Sequence, residues 1–248
     1  MANHVVLNNV THKDIKINTV HSAKLGAEFG DKTMCTLAIP SEFRHMQADY
    51  PIFFHKEKNA ETGTEKYLPM AMFGFQQGEN LYLNDDGWDA SYIPLMVERG
   101  PFLIGFQTVV EGETAHKKRV ISIDMDNPRV DDAAGEPLFD PFGGNSEYAD
   151  RMAAVLQQID QGQAITTEFV DALVAQDLIE PFTLEVELNN GEKNSLQGFY
   201  TINEEKLATL TGDVLADFNR RGILQSIYMV LASMSKIRRL IDLKNARL

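Results

Sequence analysis

Five prolines, Pro40, Pro51, Pro69, Pro94 and Pro101, punctuate the first part of the chain, so its helices are expected to be short. The apolar runs around them have strand chemistry. Cys35 to Ile39 alternates and places Cys35, Leu37 and Ile39 on one face, with Cys35 read as a core thiol. Tyr50–Phe54 is aromatic and β-branched, and Leu68–Phe75 is apolar throughout. Gly78-Glu79-Asn80 marks a turn, Leu81–Leu83 a return from it, and Asn84-Asp85-Asp86-Gly87 a second turn. Phe102–Phe106 and Val120–Ile123 are further strand candidates, and Glu111 to Lys118 between them reads as a charged turn.

Asp124 to Asp150 holds eight acidic residues and one basic residue, Arg129, and is broken by Pro128, Pro137, Pro141 and Gly143-Gly144. It reads as a connection, because the hydrophobic period changes beyond it. Met152, Val155, Leu156 and Ile159 recur at helical spacing behind Asn145-Ser146 as caps. Thr166 or Thr167 is placed to cap a second helix with the stripe Phe169, Val170, Leu173 and Val174. Leu184, Val186 and Leu188 alternate, Asn190-Gly191 supplies a tight turn, and Leu196, Gly198, Tyr200 and Ile202 return, giving a hairpin over 184–202. Asn203 is an N-cap, with Ile202 and Leu207 as its hydrophobic staple. A short helix with Val214, Leu215 and Phe218 closes at Gly222, and a last helix starts near Ile223. The stripe of that helix (Leu224, Ile227, Tyr228, Leu231, Met234) is widened by Met229 and Val230, which makes it the segment for a homodimer contact. The fold class is α+β: a β-rich region over 1–144 packed with a helical region over 145–248 that carries one β-hairpin, together one compact unit.

Charge restricts function. Twenty-three Lys and Arg against 36 Asp and Glu give a net charge of −13, which repels phosphate backbones and anionic lipid heads. The dense basic stretches are Lys117-Lys118-Arg119 and the C-terminal run with Lys236, Arg238, Arg239, Lys244 and Arg247, the latter read as a solvated helix end. No nucleic-acid or membrane partner is expected. With no export signal in Met1–Val10 and no apolar run near 20 residues, the expected location is cytoplasmic.

Motifs of chemistry are sparse. Gly26-Ala27-Glu28-Phe29-Gly30-Asp31-Lys32-Thr33 has three residues between its glycines, and Asp31 precedes the lysine, so it does not match a phosphate loop. Asp124, Asp126, Asp131 and Asp132 do not match a calcium loop, since Arg129 stands where glycine is needed. His55 and Glu57 share one face of a strand, and with His116 they have the composition of an iron-dependent oxygenase site, with Arg129 available for an oxo-acid cosubstrate. That enzyme is the alternative reading, and no cofactor is assigned under the preferred one. Trp88, Tyr92, Phe102 and Phe106 are the candidate binding residues, as aromatics that line an apolar pocket or pack the core.

Whole segments then carry a resemblance. Pro40-Ser41-Glu42-Phe43, Tyr50-Pro51-Ile52-Phe53-Phe54, Trp88-Asp89-Ala90-Ser91-Tyr92-Ile93-Pro94, Pro101-Phe102, Glu136-Pro137-Leu138-Phe139 and Leu196–Glu204 resemble, in order, the SapC family. The resemblance implies a bacterial accessory protein associated with surface or nutrient-uptake gene clusters. It implies as partners flavin-dependent halogenase-like proteins or TonB-dependent receptors encoded nearby, and it implies no catalytic residues. Together these readings make the chain a non-enzymatic accessory or binding protein.

Overall fold

The computed structural model describes residues 3–58, 63–111, 114–131 and 133–248. The sequence between His55 and the apolar run at Leu68 reads as a polar loop over Asn59–Thr64; its residues 59–62, and Asp132 of the acidic cluster, lie outside the described residues. In chain order the elements begin with β1 (His4–Val6), β2 (Lys16–Ile17), β3 (Cys35–Leu37), a 3₁₀ turn at Pro40–Glu42 and α1 (Phe43–Met46). There follow β4 (Ile52–Lys58), β5 (Glu65–Met72), β6 (Leu83–Asn84), β7 (Gly87–Trp88), α2 (Leu95–Glu98), β8 (Phe102–Glu111) and β9 (Thr114–Asp124). The remainder is β10 (Val130–Asp131), β11 (Glu136–Pro137), α3 (Glu147–Ala175), β12 (Ile179–Glu187), β13 (Lys193–Ile202), α4 (Glu204–Ala208), α5 (Gly212–Arg220), α6 (Ile223–Ser233) and α7 (Ile237–Asn245). The fold is α+β with antiparallel sheets, and no helix among the described residues is long and apolar enough to cross a membrane.

The main sheet has the order β12-β13-β4-β5-β3, so the late hairpin joins strands from the first third of the chain. A second sheet, β1-β9-β8, is dominated by a long ribbon in which Phe102 pairs with Ile123 and Val109 with His116. His116 therefore lies within a strand and not in a charged turn. The acidic connection is also more structured than its composition indicates, because β10 and β11 both pair with β2.

Two apolar clusters hold these sheets. The larger gathers Phe43, Tyr50, Phe53, Phe54 and Phe73 with Phe169, Leu173, Ile227 and Val230. The smaller gathers Ile17, Phe102, Ile123 and Leu138 with Met152, Val155, Leu156 and Ile159. One 29-residue helix, α3, spans about 43 Å at 1.5 Å per residue and contributes to both. The expected break at Thr166 and Thr167 does not exist. Their hydroxyls donate to the carbonyls of Gly162 (2.8 Å) and Gln163 (3.0 Å), one turn back, so they sit inside the helix and cap nothing. Gly162 lies in the close crossing of α3 over Ile39, whose Cγ2 would be 2.4 Å from an added Cβ.

Several local signals act as read. Ser146 caps α3 through Ala149 N–H (3.1 Å), and Asn203 caps α4 through Lys206 N–H (2.8 Å). The hairpin turn has a three-residue loop with only Gly191 in the left-handed region (φ 84°), so Asn190 does not take the positive φ expected of it. The last helix divides at a 3₁₀ turn, Met234–Lys236, into α6 and α7. Val230, expected to widen an outward face, is fully buried, and of the large apolar residues of α6 only Tyr228 is exposed. Leu37, read onto the core face of its strand, is more than a third exposed, and Cys35 is only partly buried, with its thiol pushed up by burial.

Candidate functional site

Three of the segments that carry the family resemblance, 40–43, 50–54 and 88–94, meet in one hub. The 3₁₀ turn at Pro40–Glu42 places the Glu42 side chain inward, where its Oε1 accepts from Tyr92 Oη (2.9 Å) and from Leu95 N–H (2.8 Å) at the start of α2. Glu42 is buried, and its second oxygen has no partner. Burial raises its pKa against the opposing pull of those hydrogen bonds. Asp49, at the turn into β4, accepts from Ser91 N–H (2.9 Å) and from its hydroxyl through Oδ2, and from Arg239 (2.7 Å) through Oδ1. Tyr50 donates to the Tyr92 carbonyl and accepts from Trp88 Nε1 (2.7 Å), while Tyr82 donates to the Asp49 carbonyl (2.6 Å). Burial raises the pKa of all three tyrosines of the hub, so their phenols stay protonated donors.

Trp88 and Tyr92 thus meet, half buried, with their polar ends taken up inside the protein. Phe102 is buried in the smaller core, and Phe106 is 63% exposed. The four aromatics do not line one groove.

Phe106 belongs to a different feature. Beyond Ile104 and Ile121, which pack against the smaller core, the β8–β9 ribbon carries exposed side chains on both strands. Cross-strand register puts Phe106 beside Arg119 and Thr108 beside Lys117 on one face, and Gln107 beside Lys118 and Val109 beside His116 on the other. Arg119 pairs with Asp160 of α3 (3.3 Å), tying the ribbon's base to the body. Lys117 and Lys118 have no ion-pair partner among the described residues. The ribbon is therefore an aromatic-bearing arm with a basic stretch, Lys117-Lys118-Arg119, on an acidic protein.

The metal-ligand candidates separate. His55 and Glu57 are exposed on β4 of the main sheet, and His116 is exposed on β9 of the second sheet. Among the described residues no group of three or more His, Cys, Asp or Glu side chains is placed to hold a metal ion. Arg129 is not available to a cosubstrate. It is buried, donates to Asp31 (2.6 Å) and to the carbonyls of Asn18 (2.9 Å) and Val20 (3.0 Å), and lies over the ring of Phe29. The glycine-spaced segment 26–33 is thus a loop pinned by its own aspartate. Asp124 accepts from the Asp126 backbone N–H (3.2 Å), which is turn chemistry, and from the Asn3 N–H (3.2 Å), which ties down the N-terminal segment.

Three of the five C-terminal cations are likewise engaged, against the expectation of a solvated helix end, while Arg238 makes only an exposed pair with Asp242 one turn on. Arg239 reaches Asp49, Lys244 pairs with Glu79 (2.6 Å), and Arg247 donates to the carbonyls of Leu81 (2.7 Å) and Leu83 (2.6 Å). Sequence reasoning missed Glu42 and Asp49, although Glu42 stood inside a resemblance segment. An acid set between Pro40-Ser41 and the aromatic Phe43, at the entry to a short helix, was the available signal.

Comparison with known proteins adds one result. No curated protein and no solved structure matches the chain. The family model SapC matches residues 7–240, and the hub, both cores and the ribbon fall within that span. The chain belongs to the SapC family.

Proposed function

We propose that this SapC-family chain is a non-enzymatic accessory protein that captures a partner protein on its β8–β9 ribbon. One observation carries the reading: an exposed Phe106 on the same face as Lys117, with Lys118 on the opposite face and neither lysine ion-paired among the described residues, on an arm outside both cores, in a chain of net charge −13. An exposed aromatic with a cation on its own face is the composition of a binding hot spot, and the unpaired lysines would steer an acidic surface of the partner toward that arm. The partner is a protein with an apolar pocket rimmed by carboxylates. The halogenase-like proteins and TonB-dependent receptors implied by the resemblance are the first to try. A cytoplasmic place of action is part of the reading.

The test is binding of a purified protein encoded beside the gene, by interferometry, to the wild type, Phe106→Ala and Lys117→Glu/Lys118→Glu. Truncating a central aromatic anchor should weaken affinity by about 30-fold, and reversing the two charges should act mainly on the association rate and its salt dependence. Equal binding by all three proteins would remove the ribbon from the interface.

A further inference from the structure

A cleft lies where the main sheet loses an edge. β3 pairs with β5 only from Cys35–Met72 to Leu37–Met70, so the Lys66–Pro69 part of β5, paired with β4 on one side, has no strand among the described residues on the other. Pro69 has no N–H to offer another strand, and its carbonyl is already taken by Ala38 N–H (2.9 Å). A peptide therefore cannot extend the sheet through this residue. The middle of α3 occupies that side instead. It is drawn in at Gly162 against Ile39, and a space of about 270 Å³ remains between helix and sheet.

The walls are aliphatic, from Leu37, Leu68, Pro69, Met96 and Ile159. The Thr166 and Thr167 hydroxyls donate to carbonyls of their own helix. The charged group at the cleft is Lys66, exposed, with Nζ 3.5 Å from Thr167 Oγ1 and no ion-pair partner among the described residues. Glu57 stands opposite Lys66 in the ladder without forming an ion pair with it, whereas the neighbouring Lys56 is paired with Glu65. An unpaired ammonium at the mouth of an aliphatic cleft selects a ligand with one anionic end and an apolar tail.

We infer that this cleft binds an unbranched monocarboxylate of about six to eight carbons, tail between β5 and α3 and carboxylate at Lys66. The length comes from the volume: at ~30 Å³ for each water-sized group, the space holds about nine non-hydrogen atoms. The ribbon reading plays no part in this assignment.

The experiment titrates octanoate and octan-1-ol into the full chain by calorimetry, for the wild type, Lys66→Met and Leu37→Trp, with thermal melts to show that each variant is folded. Lys66→Met keeps an apolar stem and removes the charge, and Leu37→Trp fills the cleft from an exposed position. Saturable one-to-one binding of octanoate is expected in the wild type. Lys66→Met should weaken octanoate by about fivefold, the scale of an exposed ion pair, and leave octan-1-ol unchanged. Leu37→Trp should abolish both. Absence of saturable octanoate binding, or binding unaffected by either variant, would overturn the assignment.

Discussion

Replacing Gly162 by alanine tests whether α3 is one helix bridging two cores. In an exposed helix the change is stabilising by about 1 kcal/mol, because glycine has the larger backbone entropy to lose. Here the new Cβ would stand 2.4 Å from Ile39 Cγ2 and 3.0 Å from Cδ1, well inside the ~3.5–4.0 Å of favourable carbon contact. Relieving that overlap means moving Ile39 or the helix, and overpacking of this kind costs ~1–3 kcal/mol. The difference is a net loss of about 1 kcal/mol. In an Ile39→Ala background both clashing methyl-bearing atoms are gone, so Gly162→Ala should stabilise by about 1 kcal/mol, giving a coupling of about 2 kcal/mol. Urea unfolding of the four proteins, followed by far-ultraviolet circular dichroism, reads the cycle. Gly162→Ala stabilising both backgrounds equally would mean that the helix does not cross Ile39 closely, and would refute the packing described.

The hub gives two further predictions. Arg239→Met should destabilise the chain by ~2 kcal/mol in chemical denaturation, since it leaves the buried Asp49 carboxylate with Ser91 alone; the figure is reduced from the buried-pair value because Arg239 is partly exposed. The same substitution in an Asp49→Asn background should have a clearly smaller effect. Glu42→Gln should change the pH dependence of stability. The folded Glu42 has a raised pKa, so between its unfolded and folded values the native state binds more protons, and wild-type stability falls as pH rises through that window. The amide cannot ionise, so the stability of Glu42→Gln relative to wild type should increase from pH 4 to pH 8; a constant or decreasing difference would show that the carboxylate is not penalised by burial.

What was legible in the sequence was local and periodic. The alternation at Leu184–Leu188, the Asn203 cap and the Gly222 stop each depend on neighbours within a few residues, and each appears in the structure. The alternation read over Leu196–Ile202 does not hold, because a bulge at Gly198 (φ 79°) shifts the register and buries Phe199 in place of a continuous Leu196, Gly198, Tyr200 face. Thr166 and Thr167 misled because a hydroxyl that can cap a helix can equally bond a carbonyl one turn back inside it. The ribbon was divided by its charge: Lys117, Lys118 and Arg119 resemble a turn, but a two-stranded arm with solvent on its faces accepts lysine as readily as a loop does. Within α6 the true core line is Ile223, Ile227 and Val230, and no local rule selects it from a helix whose apolar residues span so wide an arc. Arg129 finds Asp31 98 residues away and Arg239 finds Asp49 190 residues away, which no pattern along the sequence encodes.

The most direct measurement of the proposed role is amide hydrogen–deuterium exchange of the chain with and without a co-encoded partner protein. β8 is an edge strand, so its outward N–H groups are open to solvent in the free protein. The account predicts that partner binding slows exchange within Phe102–Val109 and His116–Val120 and leaves the Glu42–Asp49 hub and α6 unchanged. A complex that forms with protection at the hub or α6, and none on the ribbon, would contradict it.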